Sequence, residues 1–431
     1  MPRPTTSFLT AAALAASLLA CGGDREAAPG DGGAPPADRA SDTSAADGAG
    51  AERRFVQLAS LSSAEGAQAM RDSLAAAGWS AFVGEATVDG VPRWRVHVLP
   101  TRSAELARFA EFALRVGKHE ALAASGQVPG DALGDAPAVV RVWRVNDGTK
   151  GMARSVRWAH SPDHGALLVV DDPVSVEAEA LPDGFLHASD RTSRVLQVDS
   201  VWDVAPSPDW RWLAYSHAYR TRAAEQEQPG EDVWRDLGRR AGLPMEEARR
   251  RAFMASGMAY IYGLAVPVVR QVGDGADGEE RRVDVAAGWR ARWTTSGALA
   301  AFGTAPRTVQ DDSPSPSFIL VDPATGATRD SAGDASGLAR VAWTEGPTLD
   351  ISLPFDHASR RSVEGGGRTI TSQGGWVRVR ERGESGAGRI VAPGSVLAAT
   401  ASGRFVLVLA LDPAAREYES PDVALVYEIG P

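Results

Sequence analysis

A regular alternation of apolar and polar positions begins near residue 53. Phe55-Val56-Gln57-Leu58-Ala59-Ser60 has the two-residue period of a strand. Ser63 to Ala77 carries Ala67, Met70 and Leu74 at helical spacing, with Ser63 as the N-cap and Gly78 in the C′ position. Trp79 to Ala86 and Pro92 to Leu99 read as two more strands, joined through Asp89-Gly90, a pair suited to a tight hairpin. Ser103 to Val116 is a second helix with the stripe Leu106, Phe109, Ala110, Ala113 and Leu114. The order β-α-β-β-α over 53–117 predicts a small split βαβ sheet with both helices on one face. Residues 118–136 have no such period and read as a linker. Ala138 to Val142 reads as a strand, either the last of this sheet or part of the next domain.

From 137 to 431 the pattern becomes a repeat. SVRWAHSPDHGALLVV (155–170) aligns with DVAPSPDWRWLAYSHA (203–218), and 290–305, 340–354 and 395–411 are weaker copies. Each is an apolar strand, a polar turn and a second apolar strand. The turn serines Ser161 and Ser207 are 46 residues apart, and Ser296 follows after 89, about two periods; Thr344 and Ser402 continue the series. Paired strands at such a period predict a β-propeller of five to seven blades, each burying its faces against its neighbours. The copies resemble the TolB-like and WD-type propellers, whose blades carry a similar Trp-Ser-Pro-Asp-Gly stretch. Trp158, Trp202, Trp293 and Trp343 precede the turns and are expected in the blade core. One insertion, 222–258, interrupts the repeat with two helical stretches, Asp232–Ala241 and Pro244–Met258, and with Glu246–Arg250 and Glu247–Arg251 at the i,i+4 spacing of ion pairs. It reads either as a solvated arm capping one propeller face or as a partner-docking element.

The N-terminal segment carries different information. Phe8 to Leu19 is an apolar run too short to span a bilayer, preceded by Arg3, as in a signal peptide. It leads into Leu18-Leu19-Ala20-Cys21, which resembles the bacterial lipobox; Cys21 is then the acylated first residue of the mature chain. Cys21 is the only cysteine, so no intramolecular disulfide can form. Gly22 after it, by resemblance to sorting in Gram-negative cells, implies the periplasmic side of the outer membrane. Residues 22–52 are Gly, Ala, Asp, Ser and Pro with almost no large apolar side chain, the composition of a disordered tether. The net charge of -10 argues against nucleic acid or an anionic lipid surface as a partner.

On the first sheet, strict alternation puts Val56 and Leu58 with Trp94, Val96 and Val98 against the helices. Phe55, Gln57 and Ala59 then share the opposite face with Arg93, Arg95 and His97. Amide, guanidinium and imidazole groups around an aromatic ring suit a sugar polymer. The stretch FVQLAS, the helix ending AAAGW and the strand RWRVHVLP together resemble a SPOR (sporulation-related repeat) domain. That resemblance implies binding of peptidoglycan glycan strands stripped of their stem peptides. It implies Phe55, Gln57, Ser60, Arg93, Arg95 and His97 as the glycan-binding residues, with Gln57 and Arg95 matching most closely. Ser60 points inward on strict alternation unless the strand ends there.

Catalytic motifs are missing from the sequence: it has no GxSxG, HExxH or phosphate-binding loop, and no cysteine besides Cys21. His160, Asp163 and His164 have metal-like spacing, but the second copy of the turn lacks both histidines, so a turn-closing Asp is the better account. The expectation is a multidomain chain: an α+β SPOR-like module followed by an all-β propeller, non-enzymatic and without cofactor or metal. It binds glycan through the first module and docks a protein or ligand on the second, in cell division or envelope maintenance. The alternatives are a cell-wall hydrolase or lyase carried by the SPOR-like module, and an envelope scaffold that no longer binds glycan.

Overall fold

The computed structural model describes residues 53–117, 119–129, 137–145, 154–173, 183–222, 230–251, 253–254, 261–273, 278–283, 290–294, 296–302, 317–332, 338–339, 349–350, 361–414 and 422–430. Cys21, the tether and Trp343 lie outside them.

The first module consists of β1 (Arg53–Leu61), α1 (Ala64–Ala76), β2 (Ala81–Val88), β3 (Val91–Thr101), α2 (Ala104–Val116) and β4 (Leu122–Gly126). Its sheet is antiparallel in the order β2-β3-β1-β4. Local chemistry sets each boundary. Ser63 Oγ accepts from Gly66 N (3.2 Å) and Ser103 Oγ from Leu106 N (3.1 Å), capping the two helices. At the end of α1, Trp79 N donates to Leu74 O and Gly78 N to Ala75 O, with Gly78 at φ 92°. That is a Schellman ending, and its left-handed position suits glycine. Asp89 and Gly90 both have positive φ, as the tight hairpin between β2 and β3 requires. The strand β4 falls in the stretch read as a linker. Its sequence, LAASG, has no β-branched or aromatic residue to signal a strand. Gly126 lies against the Phe55 ring, where a Cβ would make ordinary contact at 3.5 Å.

The strand at Ala138–Val142 belongs to the second module. There β5 (Val139–Arg144) pairs with the C-terminal strand, so the start and end of the module close one sheet together. Next come β6 (Arg154–Ser161), β7 (Ala166–Pro173), β8 (Asp183–Ser189), β9 (Arg194–Pro206) and β10 (Trp212–Arg222). They are followed by α3 (Glu231–Ala241), α4 (Met245–Arg251), β11 (Phe253–Met254), β12 (Ile261–Gln271) and β13 (Glu280–Arg282). The third group is β14 (Arg290–Thr294), β15 (Leu299–Phe302), β16 (Ser317–Val321), β17 (Thr328–Ala332), β18 (Leu338–Ala339) and β19 (Leu349–Asp350). The last two are β20 (Arg361–Gly365), β21 (Arg368–Gln373), β22 (Trp376–Glu381) and β23 (Arg389–Pro393), then β24 (Ser395–Ala399), β25 (Phe405–Leu411) and β26 (Asp422–Ile429).

These strands make five antiparallel meanders among the described residues: β6–β9, β9–β13, β14–β17, β20–β23, and β24–β26 with β5 outermost. Two of them share β9, whose first half pairs with β8 and second half with β10. Positive φ at Ser200 and Asp203 lets one strand serve both. Successive sheets pack face to face. Ile370, Val377 and Val379 meet Val408 and Leu425; Phe405, Leu407 and Val426 meet Val156, Leu167 and Leu186. Leu168 and Phe185 meet Leu213 and Tyr215; Ala205 and Ala214 meet Trp293 and Leu299. Sequential four-stranded sheets with a shared first and last strand are the architecture of a β-propeller. Trp158, Trp202 and Trp293 are buried in it, and Trp293 Nε1 donates to Ala205 O of the neighbouring sheet (3.0 Å).

The repeated hairpins are β6–β7, β9–β10, β14–β15 and β24–β25. A hydroxyl at the turn ties each one. Trp212 N donates to Ser207 Oγ (3.0 Å), Ala298 N to Thr294 Oγ1 (3.0 Å) and Phe405 N to Thr400 Oγ1 (3.2 Å). In the third and last copies this residue lies two positions before the serine expected from the repeat. In the first copy, Ser161 Oγ is 2.8 Å from His164 Nδ1, so the histidine, and not Asp163, closes the turn.

Within the insertion, α4 ends at Arg251, and Phe253-Met254 pairs with β12 instead of continuing the helix. Arg250 pairs with Glu247 at i,i+3, not with Glu246. The apolar stripe Val233, Leu237, Ala241 and Ala248 packs on Leu264 and Val266 of β12. The Arg282 guanidinium donates to Ala241 O and Gly242 O, clamping the C-terminal end of α3. The stripe is used against the chain's own blade, which favours the capping reading of this arm.

The two modules share a core. Ala110 and Leu114 of α2 face the first sheet with Val56 and Val98, whereas Leu106 and Phe109 enter the core formed by Val139, Ile370, Val377 and Tyr427. Ile390 N donates to Gly78 O (2.8 Å), and the Trp79 and Trp376 rings meet at 4.7 Å. Arg144 on β5 binds Glu105 of α2 (2.7 Å) and Asp412 (3.2 Å), with its guanidinium 5.0 Å from the Phe109 centroid.

Candidate functional site

Because the helices face the propeller, the other face of the first sheet looks away from it. Cross-strand pairing shows which side chains share that face. His97 lies between Phe82 of β2 and Gln57 of β1, and Arg95 lies between Gly84 and Ser60. Arg93 lies beside Ala86. The placement of Ser60 comes from a β-bulge between Gln57 and Ala59. The extra residue resets the alternation. Ala59, expected on the open face, stands opposite Val96 on the helix side, and Ser60, expected inward, stands opposite Arg95 on the open face. The bulge therefore gathers Gln57, Ser60, Arg95 and His97 on one surface.

Phe55 and His97 are not open platforms. The Phe55 ring meets Phe82 edge-on (5.2 Å) and His97 edge-on (4.5 Å), and His97 stacks on Phe82 (4.8 Å). All three are buried, with Phe55 5% and His97 6% exposed. This triad is a rigid aromatic floor beneath the polar groups. Phe82 was not singled out in the sequence, although its alternation with Ala81 and Val83 in the second strand placed it on this face.

Burial, and secondarily the charge of Arg95, push the His97 imidazole from its ordinary 6.5 down to about 4. At neutral pH it is an uncharged ring, not a third cation. Its Nδ1 is buried without a partner, while Nε2 lies under Gly84, where a Cβ would come within 3.3 Å. Glycine there keeps the imidazole edge uncovered. The Nε of Arg95 is also buried without a partner.

Away from this face, His160 Nδ1 is buried and unpartnered, and burial lowers its pKa. No group of three or more His, Cys, Asp or Glu is placed to hold a metal among the described residues. No helix among them is long and apolar enough to cross a membrane.

With this geometry in place, comparison with known proteins is informative for one module. Residues 50–140 match the family model of the SPOR domain. The match includes β4, as the observed sheet does, and covers a minor part of the chain. No curated protein sequence matches the chain. Among solved structures, the chain is similar to an acylaminoacyl peptidase in complex with Z-Gly-Gly-Phe-chloromethyl ketone, at 9% identity and a TM-score of 0.23, covering 64% of this chain and 38% of the peptidase. It is similar to the β-propeller domain of the Trilobed protease from Pyrococcus furiosus, at 9% identity and a TM-score of 0.23, covering 64% and 68%. It is also similar to the Dos1 propeller, at 8% identity and a TM-score of 0.18, covering 71% and 59%. Superpositions this loose carry nothing about activity; the propeller assignment rests on the sheets themselves.

Proposed function

We propose that the chain is a lipid-anchored envelope protein that binds peptidoglycan glycan strands, stripped of stem peptides, through the open face of its SPOR-like sheet. The observation that carries this reading is the grouping of Gln57, Ser60, Arg93 and Arg95 over the Phe55–Phe82–His97 floor, within a segment that matches the SPOR family model. Amide and hydroxyl groups exchange hydrogen bonds with sugar hydroxyl and acetamido groups, and a rigid floor limits the ordering entropy lost on binding. The propeller is the docking platform for a protein or ligand. Cys21 and the 22–52 tether hold the assembly at the periplasmic side of the outer membrane, where it serves cell division or envelope maintenance.

The test is retention of the full chain on sacculi with and without amidase treatment. Stripping the peptides should increase retention. Equal retention on both, or none on either, contradicts the reading. Sucrose-gradient separation of the two membranes tests the address: the full chain should follow the outer membrane, and co-migration with the inner membrane contradicts it.

A further inference from the structure

Arg93 and Arg95 lack the acidic partners that hold several other arginines of this acidic chain. Arg144 binds Glu105 and Asp412, Arg368 binds Glu381, and Arg404 binds Glu428. By contrast, neither Arg93 nor Arg95 has an ion pair or hydrogen bond among the described residues. They alternate on β3, so both guanidiniums emerge on the open face about 7 Å apart along the strand. Small neighbours flank them: Gly84 and Ser60 beside Arg95, and Ala86 beside Arg93. No acidic residue shares these cross-strand rows. Two adjacent unpaired cations over a dry aromatic floor form an anion site, and guanidinium groups match the planar geometry of a carboxylate.

We propose that Arg93 and Arg95 read the free lactyl carboxylate of muramic acid residues in peptide-stripped glycan. This rests on the glycan-binding reading above and names the group recognised. In intact wall the same carboxyl is consumed in the amide bond to the stem peptide and carries no charge. Removal of the peptide by an amidase uncovers one carboxylate per disaccharide. The two arginines thereby distinguish stripped from intact strands by charge. His97, uncharged beside them, supplies a neutral hydrogen-bonding edge for a hydroxyl or acetamido group.

The experiment titrates the full chain with four probes. These are peptide-free glycan strands, the same strands with their lactyl carboxylates converted to methylamides, chitohexaose, which has no lactyl group, and strands still bearing stem peptides. Peptide-free strands should bind roughly ten- to hundredfold more tightly than the other three, the range expected for charge-assisted contacts. Arg93→Gln and Arg95→Gln should each shrink that preference. Only binding to the free-carboxylate strands should weaken steeply with salt, a readout on the wild-type chain that does not depend on either variant folding. If methylamidated strands or chitohexaose bind as tightly as peptide-free strands, the carboxylate proposal fails while glycan binding stands. If peptide-bearing strands bind most tightly, the anion recognised belongs to the peptide and the proposal fails. If no probe binds, glycan recognition itself fails and the proposal with it.

Discussion

Replacing Phe109 with alanine tests whether the two modules form one cooperative unit. Phe109 sits on α2 of the first module, is 1% exposed, and packs among Val139, Ile370, Val377 and Tyr427 of the second. Truncating a buried phenylalanine costs about 3–5 kcal/mol through lost burial and the cavity left behind. Loss of the Arg144 guanidinium over the ring adds about 0.5–1 kcal/mol. The expected total of about 3.5–6 kcal/mol is a large share of the 5–15 kcal/mol stability typical of a folded protein. The assay is guanidinium unfolding of the full chain followed by tryptophan fluorescence. The buried Trp158, Trp202 and Trp293 all report on the propeller. A shared core predicts that Phe109→Ala lowers the midpoint those tryptophans report, although the substitution lies in the other module. If the propeller transition is unmoved and only a separate, earlier transition shifts, the modules fold independently and the shared core is refuted.

Gly78→Ala should destabilise the chain by at least 1–2 kcal/mol, about the cost of a left-handed non-glycine residue, because a Cβ would also lie 2.6 Å from Gly388 O and 2.9 Å from Arg378 Nη1; a melting temperature equal to wild type would contradict the tight junction. His97 is held near 4 when folded and returns to about 6.5 when unfolded, so its contribution is complete above pH 6.5 and is lost as pH falls towards 4, by up to about 3 kcal/mol. Urea midpoints of wild type and His97→Gln should therefore converge between pH 6.5 and 4, and parallel curves would show that the imidazole is not shielded. Cys21→Ala should abolish incorporation of radiolabelled palmitate, and label retained by that variant would place the anchor elsewhere.

Most of the first module was legible in the sequence, because each of its elements has a strong local cause. Ser63 and Ser103 are caps, Gly78 and Asp89-Gly90 need positive φ, and RWRVHV alternates cleanly. The bulge in β1 was not legible. Alternation assumes an unbroken ladder, and nothing in FVQLAS marks where an extra residue enters, so Ala59 and Ser60 were assigned to the wrong faces. The strand LAASG was hidden because it has no β-branched or aromatic residue, and its pairing with β1 is a tertiary contact that local pattern does not show. The double role of α2 was likewise hidden: Leu106, Phe109, Ala110 and Leu114 read as one stripe, and only the fold divides them between two cores. The burial of Phe55 and His97 comes from Phe82 on the neighbouring strand, which a single-strand reading does not bring near. In the propeller the repeat gave the hairpins, but it pointed to Ser296 and Ser402, whereas the hydroxyls that tie those two turns belong to Thr294 and Thr400, two positions earlier.

The central claim is that the open sheet face holds stripped glycan, and the most direct measurement is the affinity of the full chain for peptide-free strands when that face alone is altered. Gln57→Ala and Arg95→Ala should each weaken binding roughly ten- to hundredfold while unfolding midpoints stay near the wild-type value. Wild-type affinity in both variants, or a wild-type chain indifferent to stripped strands, would contradict the account.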